Sequence, residues 1–177
     1  MEMILNIGCG NENYGDIRAD ISRTNSTNII CDADTPLPFK DEVFDEVYSR
    51  CLFEHLKNPH SFLREVKRNL KRGGKAILIT DNASYLRFHI SRKFLIKIGW
   101  RHGGEYCAMN SLDKHYALYQ LEHIKNHFDI CGLKIIELKL ISYKGDEKPS
   151  KKMDKFIKFF LGENLALPRI KVVAMKV

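Results

Sequence analysis

A glycine turn close to the start of the chain constrains its fold more than any other feature. The apolar run Met3–Ile7 predicts a strand, and Gly8 and Gly10 follow it directly. Glycines at this position let the backbone turn tightly and come close to a bound ligand. In dinucleotide-binding folds a helix follows the turn, and the ribose-binding acid stands about twenty residues further on. Here Asp20 lies ten residues after Gly10, so we expect the phosphate-binding helix to be missing or reduced to one turn.

The rest of the sequence predicts an α/β fold in a single domain, residues 1–177. Apolar runs alternate with helical patterns, which is typical of a sheet with helices on its faces. A chain of 177 residues is long enough to bury a core of its own. The predicted strands are Met3–Ile7, Ile17–Ile21, Asn28–Cys31, Glu42–Ser49, Lys75–Thr80, Leu133–Ile141 and Arg169–Val177. The predicted helices are Pro59–Leu70, Lys114–Ile130 and Lys151–Leu161.

The charge of the chain is unevenly distributed. Residues 1–81 carry a net charge of −2, whereas residues 82–177 carry +9. The basic half could attract acidic partners such as nucleic acids, or it could be an ordinary solvated surface. The third predicted helix has lysines around an apolar face, which admits contact with a membrane surface or nucleic acid. We expect this face to pack on the sheet; it consists of Met153, Phe156, Ile157 and Phe160.

The cysteines and the apolar runs indicate the cellular compartment in which the protein is expected. The five cysteines form no Cys-x-x-Cys pair and no even set, which favours a reducing environment over a disulfide-linked fold. No stretch reaches the roughly 18 uncharged apolar residues that a membrane-spanning helix needs. The first apolar run is also too short for a signal peptide. We therefore predict a cytoplasmic protein without a membrane span.

Several motifs follow the glycine turn in a fixed order. They read "DADTPLPF", "VFDEVYS", "FEHL" and "REVKRNLKRGGK". Together with "LNIGCG" and Asp20, they closely resemble the class I S-adenosylmethionine-dependent methyltransferases, particularly the small type 11 group. The resemblance covers about residues 3–80. It implies methyl transfer from S-adenosyl-L-methionine, an adenosyl cofactor without phosphate, which agrees with the short connection after Gly10.

The resemblance also implies a fold. It is a Rossmann-like, doubly wound sheet of seven strands in the order 3-2-1-4-5-7-6, with strand 7 antiparallel. Members of the group usually have helices before strand 1 that cap the cofactor. Only two residues precede Met3, so these cap helices are expected to be absent. The pocket would then be open, or closed by residues 82–110 or by another subunit of a homo-oligomer.

The resemblance assigns cofactor-binding positions at the strand ends. Gly8 and Gly10 would approach the methionine part of the cofactor, and Asp20 would accept hydrogen bonds from the ribose hydroxyls. Asn6 stands where an acid is common, so the methionine amino group would meet a neutral amide. Asp32 and Ala33 would lie beside the adenine, and Ser49 and Arg50 would lie beneath the sulfonium. The complete predicted set is Asn6, Gly8, Cys9, Gly10, Asp20, Ile21, Asp32, Ala33, Ser49 and Arg50.

The catalytic and acceptor-binding predictions rest on fewer signals. His55 is the candidate general base, although a histidine at a helix start is often only a hydrogen-bonded polar residue. Residues 82–113 form an insertion that we interpret as a lid or substrate segment, or as an ordinary packed loop. Its candidate acceptor-binding side chains, together with those just after it, are His102, Tyr106, His115 and Tyr116.

No metal site is predicted. His123, His127 and Cys131 are spaced by four along one helix, but they do not share a face. For the acceptor, a small molecule or a sugar-bearing metabolite is favoured by the small chain and by the lack of an RNA-binding module. The basic half keeps an RNA methyltransferase open. A non-catalytic, methyltransferase-like partner subunit is the remaining alternative.

Overall fold

A seven-stranded mixed sheet forms the centre of the molecule in the computed structural model, which describes residues 2–90, 97, 115–149 and 152–177. The strand order is β3-β2-β1-β4-β5-β7-β6. Strand β7 is antiparallel to both neighbours, and the other pairs are parallel. The strands are β1 Ile4–Ile7, β2 Ile17–Asp20, β3 Ile29–Ile30, β4 Phe44–Arg50, β5 Leu70–Asp81, β6 Lys134–Ile141 and β7 Arg169–Met175. The predicted sheet order and the antiparallel strand 7 are therefore confirmed.

Two helices cover one face of this sheet. They are α1 Pro59–Asn69 and α2 Leu121–Ile130. Helix α1 begins where the Asn58 side chain accepts a hydrogen bond from the Ser61 N–H (3.1 Å). Its apolar stripe and that of α2 share one core with alternate residues of the strands. The buried members include Phe62, Leu63, Val66, Ile124 and Phe128 from the helices, and Leu5, Val47, Leu78 and Val172 from the sheet.

The connection from β1 to β2 contains no helix. Only turns separate Ile7 from Ile17, as the short spacing predicts. The Asp16 N–H donates to the Ile4 carbonyl (2.9 Å), which brings the chain directly back to the sheet. The glycine turn is therefore left at the carboxyl ends of β1 and β2, where ligands bind in sheets of this class.

The second helix is shorter than predicted. It begins at Leu121 rather than at Lys114. Upstream of it, the Tyr116 N–H donates to the Glu54 carbonyl (2.8 Å), and Tyr119 forms an isolated parallel bridge with Asn82. These tertiary hydrogen bonds take up backbone groups that a helix would need, so the helical spacing of Ala117 overestimates the length of the helix.

The packing predicted for the third helix is wrong. Helix α3, Lys152–Leu161, is present, but Met153, Phe156 and Phe160 are exposed and Ile157 alone of the four is buried. The other buried residue on α3 is Asp154.

A polar network explains which face of α3 is buried. Both Asp154 carboxylate oxygens accept from the Tyr85 hydroxyl (3.2 Å each), and the Arg87 Nη1 lies 3.5 Å from Oδ2. This ion pair and hydrogen bond orient α3 and leave its aromatic stripe outward. A short helix α4, Glu163–Ala166, follows and leads into β7.

The insertion is described only in part. Asn82 and a 3₁₀ turn at Leu86–Phe88 belong to the described residues, whereas 91–113 lie outside them apart from Lys97. Among the helices that the structure describes, none is long and apolar enough to cross a membrane.

Candidate functional site

The glycine turn is held at the carboxyl edge of the sheet by Asp20. The Gly10 N–H donates to Asp20 Oδ2 and the Ser22 N–H donates to Oδ1, both at 2.9 Å. The Gly8 N–H donates in turn to the Ala19 carbonyl (2.9 Å). Each carboxylate oxygen has a second lone pair, so Asp20 could still accept hydrogen bonds from two hydroxyl groups of a ligand.

Gly8 and Gly10 both adopt left-handed backbone conformations, but only Gly8 is crowded. Gly8 has φ +71° and Gly10 has φ +50°. A Cβ atom on Gly8 would lie 3.0 Å from the Leu52 Cβ, whereas one on Gly10 would meet nothing within 4 Å. Leu52 stands directly before the 3₁₀ turn Phe53–His55. The backbone of the glycine turn therefore packs closely against the segment that follows β4.

Two buried polar atoms lie near the ends of β1 and β4. Asn6 donates through Nδ2 to the Tyr14 carbonyl (3.2 Å), while its Oδ1 has no hydrogen-bond partner among the described residues. The Ser49 Oγ is likewise buried without such a partner in this part of the chain. Arg50 forms an ion pair with Glu12 of the glycine turn. Buried polar atoms that lack a partner are unusual and often belong to ligand sites.

The remaining predicted cofactor positions differ in exposure. Cys9 is buried, and its Sγ lies 3.6 Å from the Thr27 Oγ1 rather than in the open part of the turn. The Ile21 side chain is 66% exposed directly beside Asp20. Asp32 is exposed and accepts from the Asp34 N–H (2.9 Å), and Ala33 is buried. An exposed isoleucine at this edge offers an apolar surface for a flat ring.

A cavity of about 510 Å³ adjoins the glycine turn. It extends over the face of the sheet opposite α1 and α2, and its size is within the range of small-molecule sites. The residues that line it are Glu12, Asn13, Tyr14, Tyr48, Ile77, Ile79, Ile141, Gly145 and Lys171.

A second group of side chains surrounds the Glu54 carboxylate just beyond β4. Glu54 is 1% exposed, and its Oε2 accepts from the Thr80 Oγ1 (2.7 Å). Burial, followed by the nearby Asp81 carboxylate, holds the pKa of Glu54 well above its usual range. One carboxylate oxygen of Glu54 and one ring nitrogen each of His55 and His115 lie within 4.8 Å of one another. The structure therefore brings together His55 and His115, which the sequence assigned to different roles.

Cys51, Glu54 and Asp81 form an overlapping group with the same 4.8 Å limit. Burial raises the pKa of the Cys51 thiol to about 11. Asp81 is also 3.9 Å from the Arg169 Nε, so part of its charge is balanced. Glu54 is common to both groups and is their most buried member.

The other acceptor-binding predictions are only partly described. Tyr116 is exposed, and the Lys57 Nζ lies 5.9 Å from the centre of its ring. His102 and Tyr106 lie outside the described residues.

The two histidines of α2 and the cysteine that follows it do not gather around one point. The His127 Nδ1 lies 2.9 Å from the His60 Nε2, Cys131 donates to the His60 carbonyl, and His123 is exposed.

Comparison with known proteins identifies the fold that presents this geometry. Residues 12–78 match the family model described as a methyltransferase domain. The chain has the class I S-adenosylmethionine-dependent methyltransferase fold. A curated relative, an uncharacterized protein of Methanocaldococcus jannaschii, is 41% identical over 69 residues. That match covers 38% of this chain and 34% of the relative, so the chain spans about a third of the relative's length.

Solved structures extend the likeness to the whole methyltransferase fold. A chain from the complex between the Haloferax volcanii Trm112 methyltransferase activator and a methyltransferase aligns with a TM-score of 0.61 at 17% identity, over 99% of this chain and 82% of that one. Haemonchus contortus phosphoethanolamine N-methyltransferase 2, in complex with S-adenosyl-L-methionine, aligns with a TM-score of 0.62 at 18% identity, over 99% and 49%. At these identities the comparison establishes the fold.

Sequence reasoning missed Glu54, Thr80 and Asp81. Glu54 appears in "FEHL", and Asp81 follows the last residue of the predicted fifth strand. Parallel strands end at one edge of the sheet, so an acid after strand 4 and an acid after strand 5 were a usable signal for proximity. The burial of Glu54 has no comparable signal in a single sequence.

Proposed function

We propose that this protein binds S-adenosyl-L-methionine and transfers its methyl group to an acceptor. The observation that carries the proposal is the Gly8 to Gly10 turn, held by Asp20 at the carboxyl ends of β1 and β2. The connection after this turn has no helix whose N-terminus could bind phosphate, which favours an adenosyl cofactor without phosphate. The fold of the solved relatives, one of which contains this cofactor, supports the same choice.

The residues present fit the cofactor. Asp20 retains acceptor capacity for the ribose diol, and Ile21 offers an exposed apolar side chain beside the adenine position. Asp32 and the Ala33 amide would meet the polar edge of the ring. Asn6 has a buried acceptor for the methionine ammonium. The remaining assigned positions are Gly8, Cys9 and Gly10 for the methionine part, and Ser49 and Arg50 beneath the sulfonium.

The chain's own task would be to position the acceptor. The cofactor supplies a methyl group that its sulfonium already activates. The protein would then hold the acceptor close to and in line with that methyl group, because proximity and orientation lower the barrier by several kcal/mol. His55 would face the acceptor, and Tyr116 and His115 are the further candidates for contact with it.

The cofactor assignment predicts that Asp20→Ala weakens binding of S-adenosylhomocysteine at least tenfold, about 1.4 kcal/mol. The substitution removes the ribose acceptor and the hydrogen bonds to the Gly10 and Ser22 amides. Isothermal titration calorimetry on the purified protein measures the change. Asp129→Ala is the matched control, because Asp129 is an exposed carboxylate at the end of α2. This variant should bind S-adenosylhomocysteine with wild-type affinity.

A conservative variant keeps the size of the Asp20 side chain but changes its hydrogen bonding. Asp20→Asn retains one oxygen that can accept from the Gly10 or the Ser22 N–H, loses the other of these hydrogen bonds, and presents an amide donor to the ribose. We expect it to bind more weakly than the wild type while the fold is retained by circular dichroism. Wild-type affinity in Asp20→Ala would contradict the assignment of this edge as the cofactor site.

The acceptor is proposed to be a small molecule or a sugar-bearing metabolite. The alternatives are RNA, favoured by the +9 charge of residues 82–177, and a non-catalytic role beside a partner. The complex of a structural relative with a methyltransferase activator supports dependence on a partner. A second copy of this chain that closes the pocket is the homo-oligomeric form of that idea.

Labelled cofactor, incubated with the purified protein and cell extract, distinguishes these acceptors. We expect label in a low-molecular-weight fraction that is unchanged by nuclease. Label that disappears after nuclease treatment would identify RNA as the acceptor instead. Label transfer only after addition of a second protein would support the partner-dependent alternative. Asp20→Ala serves as the control with weakened cofactor binding and should transfer less label at a cofactor concentration below its dissociation constant.

A further inference from the structure

The buried carboxylate of Glu54 and two histidines form a compact set of metal-binding groups beside the proposed cofactor edge. The Glu54 oxygen and the ring nitrogens of His55 and His115 lie within 4.8 Å of one another. Around one tetrahedral ion with bonds of about 2.1 Å, ligand atoms are about 3.4 Å apart. Each atom would therefore have to move by less than about 1 Å to bind a common cation.

The surroundings favour ligand binding by Glu54. Its carboxylate is 1% exposed, and a buried carboxylate is stable as an anion only beside a compensating positive charge. The Thr80 Oγ1 donates to Oε2 and fixes the carboxylate orientation, as hydrogen bonds behind metal ligands commonly do. Asp81 adds a second carboxylate nearby, which increases the negative potential at this point.

The backbone holds the third ligand in place. His115 is distant in sequence, but the Tyr116 N–H donates to the Glu54 carbonyl (2.8 Å), and the Ala117 N–H reaches the same oxygen (3.4 Å). The rings of His55 and His115 consequently lie 4.5 Å apart at an angle of 72°. Two parts of the chain thus converge on one point through hydrogen bonds that do not depend on the imidazoles.

We propose that Glu54, His55 and His115 bind a divalent first-row transition-metal ion. One carboxylate and two imidazoles are a ligand set found in catalytic zinc sites and in non-haem iron sites, whereas Mg²⁺ and Ca²⁺ prefer oxygen ligands alone. Three protein ligands leave at least one position for water or for an acceptor atom. This site goes beyond the proposed methyl transfer, and it revises the sequence-based prediction that the chain has no metal site.

The assignment changes the role of His55. A ring nitrogen that binds a cation has no lone pair left to accept a proton, so a metal-bound His55 would act through the cation and not as a general base.

Zn²⁺ binding to the purified, chelator-treated protein is the direct test. Equilibrium dialysis with elemental analysis should give one bound Zn²⁺ per chain, with Mg²⁺ bound at least tenfold more weakly. His115→Gln should weaken Zn²⁺ binding at least tenfold, and His55→Gln should do the same. Two histidine variants are used because Glu54→Gln changes a buried group and could impair folding, which circular dichroism would reveal.

Three controls distinguish this site from its neighbours. His60 and His127 form another close histidine pair among the described residues. His60→Gln disrupts that pair and should leave one Zn²⁺ bound per chain. Cys51→Ser tests the overlapping thiol and carboxylate group and should also retain the ion. Co²⁺ in place of Zn²⁺ should give ligand-field bands without a thiolate charge-transfer band.

Specific results would overturn the proposal. They are the absence of stoichiometric Zn²⁺ binding, full binding in both His55→Gln and His115→Gln, or loss of binding in Cys51→Ser or His60→Gln. Calorimetry with S-adenosylhomocysteine on the metal-free protein keeps this outcome separate from the proposed function, because the Asp20 site contains none of these ligands.

Discussion

Phe53→Ala is expected to lower the free energy of unfolding by about 3–5 kcal/mol, the usual cost of deleting a large buried side chain. Phe53 is fully buried between β4 and the helical layer. Its ring packs against Phe62 of α1 (6.5 Å between ring centres), Tyr119 (4.9 Å) and His127 of α2 (5.6 Å). Truncation would leave a cavity where three elements meet, and neighbouring rings cannot collapse into it without moving a helix.

Urea unfolding followed by circular dichroism measures this change. Phe159→Ala is the matched control, because it deletes the same side chain at a position that is 82% exposed, and it should cost less than about 0.5 kcal/mol. The slope of unfolding free energy against urea should be the same in both variants, so that midpoints report stability. Equal destabilisation by the two substitutions would show that Phe53 is not at the centre of the core.

Gly8→Ala is expected to reduce affinity for S-adenosylhomocysteine by about a hundredfold, the equivalent of about 2.8 kcal/mol. An alanine at φ +71° costs about 1–2 kcal/mol in backbone energy. Its methyl group would also approach the Leu52 Cβ to 3.0 Å, and relief of such overpacking typically costs about 1–3 kcal/mol. The turn would shift away from Leu52, and the backbone amides that we propose to face the cofactor would shift with it.

Gly73→Ala provides the control for the backbone cost alone. Gly73 has φ +77°, a Cβ there meets nothing within 4 Å, and it lies at the start of β5, away from the carboxyl edge. We expect the Gly73→Ala variant to lose about 1–2 kcal/mol of unfolding free energy and to bind S-adenosylhomocysteine with wild-type affinity. The double variant Gly8→Ala, Leu52→Ala should recover part of the lost affinity. Weakened binding in Gly73→Ala equal to that in Gly8→Ala would refute the role of crowding.

Much of the fold could be predicted because it depends on order along the chain. The short spacing from Gly10 to Asp20 indicated the missing helix after β1, and the family resemblance carried by the motifs up to the "FEHL" segment implied the sheet order. These features are local, and the resemblance supplies the pairing of strands that single-sequence periodicity lacks. The start of α2 was wrong because the backbone amides of Tyr116 and Ala117 bond to Glu54, a long-range contact that no local pattern encodes.

The side-chain environment was harder to predict than the topology. Helical spacing on α3 indicated that Phe156 and Phe160 are buried, but Asp154 instead faces Tyr85 and Arg87, and an ion pair decided the orientation. The same limit applies near the site. The sequence singled out His55 and His115 separately, while their convergence on Glu54 depends on burial and on contacts between distant segments.

The contact between Asn82 and Tyr119 joins the end of β5 to the residues just before α2. The Ala83 N–H donates to the Tyr119 carbonyl (2.8 Å), so the chain leaves β5 and returns to α2 at neighbouring points. When the ends of a loop are already joined, doubling its length costs only about 0.6 kcal/mol. A change in the number of residues between these two points would therefore alter the free energy of folding of the sheet by only a small amount.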